Sequence, residues 1–276
     1  MKTINCKGQL IDLSTPKIMG ILNVTPDSFF DGGNYNDDQS ILKQVDKMLK
    51  EGATFIDVGA YSSRPGAKHI SEVEELKRIL PIVKLLTKNF SHIILSVDTF
   101  RSRVAEKCIQ AGAAIINDIS GGNADSNMFA TAVKLQVPYI MMHMQATPQD
   151  MQDNPCYTDI TKELLSDFAV KSAELKKLGL NDLIIDLGFG FGKTIEHNYK
   201  LLSDLHLFHQ LNCAILTGIS RKSMLYKPLE IDPQNALNAT TFANTIAIQK
   251  GSQILRVHDV KEANEIIKLN ALLSNQ

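Results

Sequence analysis

This 276-residue chain is short of the features that mark several large classes of protein. Its four cysteines (Cys6, Cys108, Cys156 and Cys213) include no CxxC pair. That removes thiolate metal sites and, at this length, a disulfide framework. Neither sign of charge dominates: 29 Lys and Arg stand against 30 Asp and Glu, for a net charge of -1. Without a basic stripe there is no electrostatic case for nucleic acid or an anionic membrane as partner. No apolar run reaches the roughly 18 residues that span a bilayer. The opening MKTINCKGQLIDLS lacks the apolar core of a signal peptide, so a cytoplasmic location is expected. A nucleotide loop is missing as well. In GFGFGKT (Gly188–Thr194) the first P-loop glycine would fall on Leu187 and the last glycine of GxGxxG on Lys193, so a tight strand-to-helix turn is expected instead. His206 and His209 share a helical face without a third ligand, which points to surface or packing roles rather than zinc.

What the chain does have is apolar material, 44% of its residues, in a regular arrangement. Eight short, nearly continuous apolar runs recur: KIMGILNVT from Lys17, FIDVGA from Phe55, HIILSVDT from His92, AIINDI from Ala114, PYIMMHM from Pro138, LIIDLG from Leu183, AILTGIS from Ala214 and QILRVHD from Gln253. Strands covered on both faces of a parallel sheet read this way. Helical periodicity fills the intervals. Val104, Ala105, Cys108 and Ile109 share one face, as do Leu201, Leu202, Leu205 and Phe208. Gly52, Gly112 and Gly179 stand where left-handed helix caps are wanted. Asp232-Pro233 looks like the opening of a helix that closes before Gly251, and Pro81 should kink another. Eight alternating β and α units predict an α/β fold, a (β/α)8 TIM barrel, with residues 1–276 as one domain. The first dozen residues, turning at Lys7-Gly8, predict a short N-terminal β-hairpin under the barrel.

Chemistry in such barrels gathers at the C-terminal ends of the strands. Here those ends carry Asn23, Ser62-Ser63-Arg64, Asp98, Asn117-Asp118, Met142-His143, Asp186, Ser220-Arg221-Lys222, and Arg256 with His258. Any one of them could be a turn former, but polar groups on all eight strands argue for a site. Asp118 is out of phase with Asn117 and should face outward as a structural residue. A strand-end carboxylate can accept two hydrogen bonds from an N–H/NH2 edge, Asn117 can donate and accept beside it, and Lys222 can donate to a ring oxygen or nitrogen. Arg256, His258, Asn23 and Arg64 suit a diphosphate whose charge Mg2+ helps to neutralise. The set fits a flat polar heterocycle bearing an anionic leaving group.

The segments NVTPDSFFDGG (Asn23–Gly33), SSRPGA (Ser62–Ala67), SVDT (Ser96–Thr99), INDISGG (Ile116–Gly122), MHMQ (Met142–Gln145), GFGFGKT, SRKS (Ser220–Ser223) and RVHD (Arg256–Asp259) together resemble the dihydropteroate synthase family, in order and over essentially the whole chain. The resemblance implies condensation of 6-hydroxymethyl-7,8-dihydropterin diphosphate with 4-aminobenzoate, giving 7,8-dihydropteroate and diphosphate in folate synthesis. It implies a pterin pocket of Asp98, Asn117, Asp186 and Lys222 lined by Met142, Phe191 and Gly218. It places Mg2+ at Asn23, the diphosphate at Arg64, Arg256 and His258, and aminobenzoate among Phe29, Ser63, Pro65 and Ser223. Asp98, Lys222, Arg256 and His258 would carry the chemistry. A homodimer is also implied. Tyr61 stands where Glu is usual in the family, Ser63 where Thr is, Leu187 where Pro is and Ala146 where Gly is. The alternatives are a methyltetrahydrofolate-corrinoid methyltransferase, which has no use for the Arg/His anion site, a Schiff-base aldolase working through Lys222, and a non-catalytic pterin-binding paralogue. Thr25 to Asp38 and Tyr61 to Ile70, rich in turn residues, read as rim lids.

Overall fold

Lys7 and Gly8 are consecutive left-handed residues, with φ of 55° and 90°. A pair of this kind makes the two-residue turn whose twist suits a hairpin. It joins β1 (Thr3–Cys6) to β2 (Gln9–Asp12) in antiparallel register. The computed structural model describes residues 2–24, 38–62, 69–145 and 155–274. After the hairpin come eight parallel strands: β3 (Lys17–Asn23), β4 (Phe55–Gly59), β5 (Leu95–Asp98), β6 (Ile115–Asp118), β7 (Tyr139–Met142), β8 (Leu183–Asp186), β9 (Ala214–Thr217) and β10 (Ile254–Val257). Each pairs with the next, and β10 returns to β3, closing the barrel. The helices among the described residues are α1 (Asp38–Glu51), α2 (Glu72–Asn89), α3 (Ser102–Gln110), α4 (Met128–Leu135), α5 (Ile160–Lys177), α6 (Ile195–Asp204), α7 (Ser223–Tyr226), α8 (Leu237–Gln249) and α9 (Val260–Ser274). All eight strand runs and the hairpin stand where the sequence places them.

Side chains alternate across each strand, and the two phases do different work. One phase, including Ile18, Leu22, Ile56, Val58, Val97, Ile116, Tyr139, Ile185, Ile215 and Leu255, packs outward against the helices. The other points inward and changes character along the barrel. At the bottom, Met19, Phe55, Ile94, Ile115, Ile140, Ile184, Ala214 and Ile254 form a buried layer with Ile4, Cys6, Ile11 and Leu13, so the hairpin closes the floor. One pleat higher the same phase carries Asp57, Ser96, Asn117, Met142, Asp186 and Arg256. The apolar floor stabilises the barrel and leaves its upper interior for polar groups.

Asp118 faces outward, as its phase requires. Its oxygens accept from the Ser120 N–H (2.8 Å) and hydroxyl (2.7 Å), the Gly122 N–H (2.8 Å) and the Tyr139 hydroxyl (2.7 Å). It is a turn clamp. Two helical expectations need adjustment. Leu201, Leu202, Leu205 and Phe208 are all buried, but α6 stops at Asp204 and a 3-10 helix over Leu205–Leu211 carries the last two. Asp232-Pro233 opens a 3-10 turn over Pro233–Asn235, and α8 starts only at Leu237. Arg221 Nη1 donates to the carbonyls of Pro233 (3.1 Å) and Gln234 (2.6 Å) and ties this turn in place, while the Pro233 carbonyl also accepts from the Ala236 N–H (3.3 Å). α2 spans Glu72–Asn89 with Pro81 inside it. His206 is exposed, and His209 packs against the end of α8, its Nε2 lying 3.3 Å from the Lys250 carbonyl oxygen. Both segments read as lids fall largely among 25–37 and 63–68, outside the described residues.

Candidate active site

The polar upper layer of the barrel converges on one buried cluster. Asp57 Oδ2 accepts from Arg256 Nε at 2.6 Å and from Asn117 Nδ2 at 2.9 Å. Arg256 Nη2 donates to Asp98 Oδ2 at 2.9 Å. Three strands, β4, β6 and β10, thus meet on a single carboxylate oxygen, and β5 joins through Arg256. Burial alone would lower the Arg256 pKa, but the Asp57 and Asp98 carboxylates more than offset it and hold the guanidinium charged. Asp98 is pushed up by burial, against the pull of Arg256 and with help from Asp57, Glu75 and Asp118.

Asp186 ends β8 on the opposite wall. Its Oδ1 accepts from the Gly188 N–H at 2.8 Å, so it caps the following turn while its other oxygen lies toward Gly218. Burial raises its pKa, opposed by Lys222. A Cβ on Gly218 would sit 3.8 Å from Asp186 Oδ2 and 3.9 Å from Arg256 Cβ, so this glycine keeps space open between the two charges. Lys222, just before α7, donates to the Phe189 carbonyl and holds its ammonium 4.5 Å above the centre of the Phe191 ring. Burial pushes it down to about 8 despite the attraction of Asp186. Met142 and Phe191 belong to an apolar wall completed by Ile119, Met144 and Phe100. Ser223, half-buried, opens α7 beside Lys222.

The glycine-rich run is the tight turn expected of it. Gly188 has φ 67°, and a Cβ there would lie 2.0 Å from the His143 carbonyl oxygen. Thr194 caps α6, its hydroxyl accepting from the His197 N–H at 3.2 Å. The sequence reading gave Lys193 no role, yet it is 4% exposed and its ammonium donates to the carbonyls of Phe191 (2.9 Å), Gly188 (3.0 Å) and His143 (3.1 Å). It fastens the turn that carries Phe191 to the end of β7. Burial lowers its pKa to about 7.

At the rim, the His258 N–H donates to Ser220 Oγ (3.2 Å) and the imidazole Nδ1 lies 3.0 Å from the same hydroxyl. Desolvation and the nearby Arg256 push this imidazole down to about 4, although one edge of the side chain remains exposed. Arg221 is scaffold: it adopts φ 56° and pairs bidentately with Asp259 at 2.7 and 2.9 Å. Tyr61 packs edge-on against Phe100 with ring centres 5.0 Å apart, its hydroxyl 3.2 Å from His69 Nδ1, and the Arg101 guanidinium lies 5.6 Å from its ring centre. An aromatic and cationic cluster therefore surrounds Tyr61. Asn23 ends β3, half-buried, in register with Gly59. Among the described residues no group of three or more His, Cys, Asp or Glu could hold a metal ion. Phe29, Ser63, Arg64, Pro65 and Ala146 lie outside the described residues.

Asp57 and Lys193 are the two residues of this site that the sequence reading missed. A single Asp in the otherwise apolar strand FIDVGA, on the inward phase, was the available signal for the first. For the second it was a lysine inside a tight glycine turn.

Comparison with known proteins bears on the whole arrangement. Residues 19–258 match the family described as "Pterin binding enzyme". The dihydropteroate synthase of Haemophilus influenzae is 42% identical over 261 residues, covering 94% of each chain. A crystal structure of the Yersinia pestis dihydropteroate synthase in complex with a sulfonamide drug superposes with a TM-score of 0.93 at 40% identity, covering 99% of this chain and 100% of that one. The Xanthomonas albilineans dihydropteroate synthase with 4-aminobenzoic acid gives a TM-score of 0.91 at 32% identity, over 99% of this chain and 98% of that one.

Proposed function

The chain belongs to the pterin-binding enzyme family, among its dihydropteroate synthases, and from that premise we propose how its residues divide the work of joining 6-hydroxymethyl-7,8-dihydropterin diphosphate to 4-aminobenzoate. The observation that carries the assignment is the convergence of Asp98, Asn117, Asp186, Lys222 and Arg256 on one buried, barrel-top pocket. Asp186 and Asp98 accept hydrogen bonds from the guanidine-like edge of the pterin, Asn117 both donates and accepts beside them, and Lys222 donates to a ring oxygen or nitrogen. Met142, Phe191 and Gly218 shape the slot. Arg256, with Nε and Nη2 held by Asp57 and Asp98, offers Nη1 to the diphosphate, alongside His258 and Arg64. Phe29, Ser63, Pro65 and Ser223 serve aminobenzoate.

The reaction breaks the C–O bond between the pterin methylene and the diphosphate and forms a C–N bond to the aniline nitrogen, which then loses a proton. Departure of the diphosphate leaves positive charge delocalised into the pterin ring, where Asp98 and Asp186 supply negative potential. Preorganised charge of this kind is worth about 3–4 kcal/mol per well-placed group. The aniline nitrogen is nucleophilic at neutral pH, so no Ser–His–Asp or Cys–His base is required. A single neutral amide oxygen at Asn23 fits Mg2+ held chiefly by diphosphate oxygens and water, the manner in which that ion commonly binds. When bound, Mg2+ offsets charge on the leaving diphosphate.

In this reading residues 1–276 form one barrel domain in a cytoplasmic homodimer. Among the described residues no helix is long and apolar enough to cross a membrane. The deciding experiment is diphosphate release, expected only with both substrates present and suppressed by EDTA. Release that ignores aminobenzoate, or none at all, would overturn the assignment. The lowered pKa of Lys222 would also suit an imine-forming lysine, which borohydride trapping with substrate would reveal.

A further inference from the structure

We propose that Asp57 is a positioning residue for this reaction: it sets Arg256 and Asn117 as one unit and offsets the Arg256 charge, so that Arg256 does not cancel the negative potential that Asp98 and Asp186 offer the pterin cation. The inference rests on the synthase reading above. Its ground is the geometry of one oxygen. Asp57 sits on the inward phase of β4, completely buried, one pleat above Phe55 and one below Gly59. Its Oδ2 takes both the Arg256 Nε–H (2.6 Å) and the Asn117 amide (2.9 Å), tying a proposed anion-binding group to a proposed pterin-binding group. Its Oδ1 is buried with no hydrogen-bond partner among the described residues. A half-satisfied buried carboxylate weakens a fold rather than strengthening it, so stability alone does not account for this residue.

Formal charge gives the second half of the argument. Asp57, Asp98 and Asp186 are three carboxylates facing Arg256, Lys222 and, beside Asp186, Lys193 with its pKa at about 7. Without Asp57 the balance shifts by one unit towards positive charge, and Arg256 would offset more of the potential that Asp98 contributes. Asp57 also directs the guanidinium through Nε, leaving its Nη1 end for the diphosphate. The same acid thus makes one cation serve the leaving group without opposing the charge that develops on the ring.

Asp57→Asn tests this, because it keeps an acceptor oxygen and removes the charge. In the folded variant kcat should fall by at least about tenfold. Affinity for the pterin diphosphate should hold or tighten, since the anion meets less negative potential, while hydroxymethyl pterin affinity stays within about threefold. The Arg256 Nε–H resonance in 15N NMR should move upfield and exchange faster as its charged acceptor is lost. An unchanged kcat with an unchanged resonance would overturn the proposal. So would equal weakening of both ligands with kcat per folded molecule retained, the signature of a purely structural acid. If the wild type releases no diphosphate, the synthase reading fails on its own; the resonance still judges Asp57, and an unchanged resonance counts against it. Should Asp57→Asn fail to fold, Asp57→Glu keeps the charge and displaces the carboxylate by one methylene. It should move the Arg256 resonance and lower kcat, and an Arg256 signal identical to wild type would overturn the proposal.

Discussion

Asp186 combines two roles that the sequence could treat only as rivals. Its Oδ1 caps the Gly188 turn, and its second oxygen is aimed at the pocket beside Gly218. Asp186→Asn replaces one acceptor with a donor and leaves a pterin N–H unpaired, a loss of roughly 2–5 kcal/mol of pterin binding. Titration of hydroxymethyl pterin per folded molecule checks this; a lower Tm with pterin affinity intact would reduce Asp186 to a cap. Lys222 gives a prediction in pH. Its useful form is the protonated one, and burial brings its pKa down to about 8. The charge that strengthens this donor is therefore present below that pH and lost above it, so kcat/KM should decline as pH rises through about 8. Lys193 also titrates low, at about 7, but it faces backbone carbonyls rather than the pocket, and a neutral amine keeps two N–H donors for the three of them, so its titration should not set the limb. A pH profile of Lys222→Arg should lose the alkaline decline, whatever its absolute rate. If the decline persists in that variant, another group controls it.

At the scale of elements, the N-terminal hairpin is a floor rather than part of the chemistry. Ile4 is fully buried against the lowest layer of the barrel interior, with Cys6, Ile11 and Leu13 beside it. Ile4→Ala should cost about 2–5 kcal/mol of stability, the usual range for truncating a large buried aliphatic side chain. Denaturant unfolding would measure the loss, and kcat at a temperature where the variant is folded should match the parent. A fall in kcat without a fall in stability would mean that the floor is coupled to the site. The hairpin and all eight strands were legible because their physics is local: a Lys-Gly turn and runs apolar on both faces. The ends of those strands were legible for the same reason, since the barrel delivers them to one rim. What the sequence hid depends on long-range contacts. The 3-10 turn before α8 is tied by Arg221, which reaches two of its carbonyls from 12 and 13 positions away, and the proposed role of Asp57 needs partners 60 and 199 positions away. Lys193 was obscured by its resemblance to a phosphate-loop lysine, when its ammonium in fact satisfies backbone carbonyls.

For the molecule as a whole, the outer face of α8 and α9 has more apolar surface than a solitary barrel needs. These helices pack on each other, and they expose Phe242 at 63%, Leu269 at 64%, Leu272 at 65% and Leu273 at 69%. Single exposed leucines are ordinary, but several large apolar side chains on two adjacent helices are where the proposed homodimer would associate. A two-fold symmetric partner would cover the same residues on both copies, and a stable interface needs about 800 Å² from each. Leu269 and Leu273 are four residues apart and so lie on one face of α9. Placing Glu at both would bury like charges beside their symmetry mates at such an interface, at a cost of several kcal/mol. The pair Leu269→Glu and Leu273→Glu should therefore sediment as a monomer where the parent sediments as a dimer. The pocket is built from the strand ends and the loops above them, so diphosphate release per chain should stay within a few-fold of the parent. A parent that is monomeric at micromolar concentration, or a double variant that remains dimeric, would place the interface elsewhere or remove it.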